Sequence, residues 1–164
     1  MEKKHTSAPL RIVGGQLLDA RRAALSAHGP HRLEPVATVN DVLYINDSKA
    51  TFLDAALESL ASIENRVVWI VGTWSDDMAD GHVQELLKQR VSALVLYTPP
   101  LDAVSASLPE HVYQAEELRT AVFVAHELAK PGEVVLFSPA CPSGNGFANY
   151  EERGAEFKRA VKDL

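Results

Sequence analysis

"RVVWIVGTWSDDMADGHVQELLKQRVSALVLYT", residues 66–98, decides the architecture. It opens on a continuous apolar run closed by Gly72, which reads as a strand buried on both faces. A polar loop follows, then the helical "HVQELLKQR", then a second buried run at 91–98. Strand, helix and strand in that order form a unit whose strands lie parallel.

The pattern repeats outward. "HVYQA" is a third, weaker strand, "AEELRTAVFVAHELAK" a helix stopped by Pro131-Gly132, and "EVVLFSP" (133–139) a fourth buried strand. A glycine-rich loop, "ACPSGNGFANY", leads to a closing helix, "EERGAEFKRAVKDL", where Gly154 costs about 1 kcal/mol relative to alanine. A short helix is expected over 101–108. Upstream, "LEPVATVNDVLYIND" is two alternating runs joined at Asn40-Asp41, a β-hairpin whose 42–46 strand enters the same sheet. "TFLDAALESLASI" has helical apolar spacing, with Thr51 as its expected cap. Residues 1–29 read as a tail and a linker helix (16–29), and 30–164 as one α/β domain with a mainly parallel sheet between helix layers.

A net charge of −6 leaves no basic excess to hold nucleic acid or an anionic membrane. No apolar run approaches the roughly 20 residues that cross a bilayer. "MEKKHTSAPL" has no apolar stretch after its charges, so no secretory signal is expected, and the single Cys141 fits a reducing cytoplasm.

In parallel sheets, ligands sit beyond the carboxyl ends of the strands. Three polar loops leave such ends: "NDSKAT" (46–51), "GTWSDDMADG" (72–81) and "SPACPSGNGF" (138–147). Asp47-Ser48-Lys49 is either a plain strand-to-helix turn or a ligand contact. The acids of 76–80 are either solvated or Mg²⁺ ligands. No GxxxxGK[ST] phosphate loop is present, and the six histidines show no metal-ligand spacing, so no metal site is assigned. Cys141 has no neighbouring histidine in sequence and reads as a structural thiol.

Four segments together carry a resemblance: "HRLE" (31–34), "YINDSKAT" (44–51), "LAKPGEVVLFSPACPS" (128–143) and "FANYEERGAEFKRAV" (147–161). They resemble the C-terminal domain of the Mur ligases, the D-glutamate-adding members most of all. The resemblance implies a Rossmann-like three-layer domain. It also implies a role in joining D-glutamate to UDP-N-acetylmuramoyl-L-alanine in peptidoglycan synthesis, with ATP and Mg²⁺, beside a central ATPase domain in the cytoplasm. By the same resemblance, Arg32, Asp47 and Lys49 bind nucleotide, and Ser48, Thr51, Ser143 and Tyr150 border the amino acid. No catalytic residue is assigned, and this chain alone is expected not to form the amide bond.

One departure stands out. The family carries Gly-Gly-x-Asp-Lys-Gly after the strand at 66–72, with the lysine on the D-glutamate carboxylate. Here Asp76 takes the lysine's place, and residues 67–87 contain no Lys or Arg. Losing one charge-assisted hydrogen bond costs about 1.5–3 kcal/mol. Two readings therefore stand: the substrate-binding domain of such a ligase, or a stand-alone module that keeps the fold and binds without ligating.

Overall fold

The computed structural model describes residues 28–97, 110–144 and 146–164. The helix expected over 101–108, and residues 16–27 of the one expected over 16–29, lie outside them. The strands are β1 (Glu34–Val39), β2 (Val42–Asn46), β3 (Val67–Val71), β4 (Val91–Leu96), β5 (Val112–Gln114) and β6 (Val134–Phe137). The helices are α1 (Leu53–Ser62), α2 (Gly81–Arg90), α3 (Leu118–Leu128) and α4 (Tyr150–Lys162).

The strands form one sheet in the order β1-β2-β6-β3-β4-β5. Only β1 runs antiparallel, paired to β2 through the expected hairpin. Asn40 and Asp41 hold φ of 50° and 61°, the doubly left-handed turn that matches strand twist and suits Asn and Asp. Pro35, which lacks an N–H, sits in this edge strand, where a missing donor is tolerated.

The apolar runs alternate between two cores. Leu43, Ile45, Trp69, Leu94 and Leu136 pack under α1 and α2, against Ala56, Leu60 and Leu87. Tyr44, Val68, Ile70, Val95 and Phe137 face α3 and α4, against Ala121, Val122, Phe157 and Val161. Both faces are covered, which is why the strands read as unbroken hydrophobic runs. The α/β three-layer expectation holds.

The topology fixes where the loops part. Strand β6 lies between β2 and β3 and is parallel to both. After β2 and β3 the chain turns into helices on one face, whereas after β6 it turns into α4 on the other. The loops diverge on either side of β6 and open a crevice at the carboxyl ends.

Thr51 is not the cap of α1. The helix starts at Leu53 after Phe52, which is extended (φ −147°) and makes no side-chain cap bond. Ala50 N–H closes a turn onto Asp47 O at 2.9 Å, and Ala140 N–H bonds Ala50 O at 3.0 Å, so the loop is pinned to its neighbour before the helix can begin.

Candidate functional site

The loop after β2 turns its polar atoms inward. Asp47 is fully buried. Its carboxylate accepts from Leu33 N–H (3.0 Å), Ser59 Oγ (2.6 Å) and Ser138 Oγ (2.7 Å), with Arg32 Nη1 at 3.5 Å. Burial pushes this carboxyl up, and the three hydrogen bonds and Arg32 oppose it. Ser48 is also fully buried; its hydroxyl donates to Tyr150 O at 2.7 Å and accepts from Arg153 Nε at 3.1 Å. Within this domain the polar atoms of both side chains are engaged: Asp47 holds Arg32, and Ser48 holds the first turn of α4.

What the loop leaves outward is Lys49, exposed, and Thr51, half-buried. Lys49 N–H donates to His31 O at 3.0 Å, which brings the Arg32 segment against the loop. Arg32 keeps part of its guanidinium exposed between Asp47, Ser59 Oγ at 3.3 Å and Glu58 at 3.8 Å.

The loop after β6 is brought to the same place by Arg153, a residue to which the sequence reading gave no role. Its side chain is 1% exposed, and among the described residues no carboxylate is paired with it. Its charge rests on oxygen dipoles instead: Nη2 donates to Ser48 O (2.9 Å), Nε to Ser48 Oγ, and Nη1 to Cys141 O and Pro142 O (3.0 Å each). A buried guanidinium without such partners would cost several kcal/mol, so this arginine staples the two loops together. Ser143 follows directly from the stapled Pro142, and Tyr150 opens α4 beside Ser48, with its ring 6.0 Å edge-on from His31. Arg32, Lys49, Thr51, Ser143 and Tyr150 thus stand on segments that these hydrogen bonds tie together.

The third loop meets β6 through Gly72, whose N–H bonds Pro139 O at 2.8 Å. A side chain at Gly72 would overlap Cys141 Sγ, so glycine is required by close approach. Burial raises the Cys141 thiol's pKa. Asp76 and Asp77 are exposed in a 3₁₀ turn, and Asp80 caps α2 through His82 N–H at 2.9 Å. With Phe52, Leu53 and Leu57 these acids line an open groove of about 690 Å³. Among the described residues, no group of three or more His, Cys, Asp or Glu side chains is arranged to hold a metal ion.

Beside Asp47 and Ser48, the buried polar residues that build this site are Asn46, Ser59, Ser138 and Arg153. Arg153 and Asn46 stand inside quoted motifs, but nothing local shows that their side chains turn inward.

Residues 31–141 match the family model described as Mur ligase, glutamate ligase domain. The UDP-N-acetylmuramoylalanine--D-glutamate ligase of Salinibacter ruber is 41% identical over 139 residues, 82% of this chain and 30% of that protein. The enzyme of the same name from Christiangramia forsetii is 39% identical over 137 residues, 82% of this chain and 31% of its own length. The chain therefore spans about a third of the length of these relatives. Among solved structures, the MurF ligase of Thermotoga maritima in complex with ADP aligns with TM-score 0.50 at 15% identity, over 82% of this chain and 32% of that one, a likeness of fold. A bifunctional folylpolyglutamate synthase/dihydrofolate synthase with Mn, AMPPNP and L-glutamate bound aligns with TM-score 0.50 at 25% identity, over 85% of this chain and 33% of that one.

Proposed function

From the premise that the chain belongs to the Mur ligase glutamate ligase domain family, we propose that it is the domain that receives D-glutamate and part of the nucleotide in an ATP-dependent, D-glutamate-adding ligase of peptidoglycan synthesis. One observation carries this reading: Arg153 staples together the loops after β2 and β6, leaving Lys49 exposed and Arg32 partly exposed. The names of the relatives at 39–41% identity support the choice of amino acid.

The residues fit a nucleotide. Lys49 is a compact, exposed ammonium suited to phosphate, and Arg32, oriented by buried Asp47, offers a planar donor set beside it. Thr51 and Ser143 supply hydroxyls, and Tyr150 an aromatic wall, for the amino acid. ATP, when bound, supplies the phosphoryl group that activates the acceptor carboxylate. We assign Mg²⁺ to the nucleotide phosphates and the central ATPase domain, and the reaction to the complete ligase in the bacterial cytoplasm.

The acidic third loop favours a second reading, a binding module without ligase activity. Asp76 and Asp77 stand exposed with no cation in the sequence from 67 to 87. Calorimetric titration of D-glutamate and of Mg²⁺·adenylyl imidodiphosphate tests the first. On the first reading the chain binds both, Lys49→Ala weakens nucleotide binding by about tenfold or more, and Asp76→Lys tightens D-glutamate. Absence of binding in the chain and in both variants refutes it.

A further inference from the structure

Asn46 is the pivot of the loop that presents Lys49. Its side chain is fully buried, and each of its polar atoms has a partner. Nδ2 donates to Glu34 Oε2 at 2.9 Å and meets His31 Nδ1 at 3.0 Å, while Oδ1 accepts Ser48 N–H at 3.2 Å. The Glu34 carboxylate can only accept and a backbone N–H can only donate, so the amide cannot be turned over. Nδ2 therefore donates to His31 Nδ1 as well. That bond requires a neutral imidazole with its proton on Nε2.

His31 is held from other directions too. Its N–H donates to Glu34 Oε2 at 3.0 Å, and its carbonyl accepts Lys49 N–H at 3.0 Å. Its backbone is left-handed (φ 59°), and its ring lies so close over Gly154 that any side chain there would overlap Nδ1. One residue thus reaches the loop twice: through Asn46 to Ser48, and through its carbonyl to Lys49.

We propose that His31 is a positioning residue for the Lys49 loop that acts only as neutral imidazole, so that ligand capture by this loop is switched off by acid. The proposal rests on the loop being a ligand site, as read above. Protonation would set an N–H at Nδ1 against the Asn46 amide donors. Relief requires either moving the ring off Gly154 or turning Asn46 away from Ser48 N–H, and both disturb the loop. Glu34 on β1 and Glu151 on α4 favour the imidazolium, whereas burial and Lys158 on α4 oppose it. Asn46 on β2 and Tyr150 on α4 face the ring uncharged. Burial is the largest of these influences and leaves the ring harder to protonate than a free histidine.

The test uses the full chain. Nitrogen-15 spectra from pH 7.5 to 4.5 are expected to show His31 protonated on Nε2, with the Ser48 and Lys49 amides shifting at the His31 midpoint. His31→Asn tolerates the left-handed backbone and places a permanent acceptor in place of Nδ1, so it should abolish that titration. For Mg²⁺·adenylyl imidodiphosphate, the affinity of wild type relative to His31→Asn should fall about tenfold per pH unit below the midpoint, as the competent fraction falls. Amides that ignore the His31 midpoint, or that titrate unchanged in His31→Asn, overturn the proposal. Amides that follow His31 while no nucleotide binds at any pH uphold the positioning and overturn the ligand reading.

Discussion

Replacing Gly154 by alanine sets two physical effects against each other. On helix propensity alone, the change in the first turns of α4 stabilises by about 1 kcal/mol. Tertiary packing says the reverse. An added Cβ would overlap His31 Nδ1 and stand 2.9 Å from its Cε1 and 3.0 Å from Asn46 Nδ2. The His31 ring has to leave, which forfeits the Asn46 hydrogen bond, about 0.5–1.5 kcal/mol, and overpacking costs about 1–3 kcal/mol more. The net expectation is a loss of about 1–3 kcal/mol, or a fall in melting temperature of about 2–4 °C per kcal/mol for a domain this size. Urea denaturation followed by circular dichroism measures it. A His31→Gly background, admitted by φ of 59°, removes the ring and leaves only the 3.0 Å approach to Asn46 Nδ2, so there Gly154→Ala should cost clearly less or stabilise, by at most about 1 kcal/mol. A stabilising Gly154→Ala in the wild-type background, or an equal loss in both backgrounds, would refute the reasoning.

Asp47→Ala strips the acceptor from Leu33 N–H, Ser59 and Ser138 and the counter-charge from Arg32. A loss of about 3–5 kcal/mol is expected, and a denaturant midpoint within 1 kcal/mol of wild type would show the network to be dispensable. Stability should also fall in acid. His31 and Glu34 are both held below their ordinary values of 6.5 and 4.5. Each contribution is complete above the ordinary value and is lost as pH falls through the folded one. Asp47, raised above 3.8, has the opposite sign between its ordinary and its folded value, where protonation relieves a buried charge. Urea midpoints at pH 8, 6 and 5 should therefore decline, His31→Asn should remove the first part of the decline, and a midpoint that rises from pH 8 to 5 contradicts the assignment.

Much of this domain is local information. A strand buried on both faces is an unbroken apolar run, and a helix under it repeats at 3.6 residues, so the alternation from β3 to α4 can be read from neighbours in the chain. The hairpin at Asn40-Asp41 needs only two residues that accept positive φ. The three loops at strand ends follow from the same pattern, and so do Lys49 and Thr51, whose turn keeps them outward.

The order of the strands is different, because β6 enters between β2 and β3 across some 60 residues or more of sequence, and no periodicity records a partner that distant. That insertion puts Phe137 O against Asp47 N–H and Ser138 Oγ against the Asp47 carboxylate, anchoring that side chain between strands. It also gives Arg153 four oxygens from two loops, and makes Gly154 a seat for the His31 ring where the helix alone would prefer alanine. By itself, then, the sequence determined which of the described segments are strands, helices and loops at strand carboxyl ends, because those depend on periodicity and turn chemistry. The tertiary structure decided which polar atoms of the Asp47–Thr51 loop remain free, because a side chain's direction there is set by partners about 90–105 residues away.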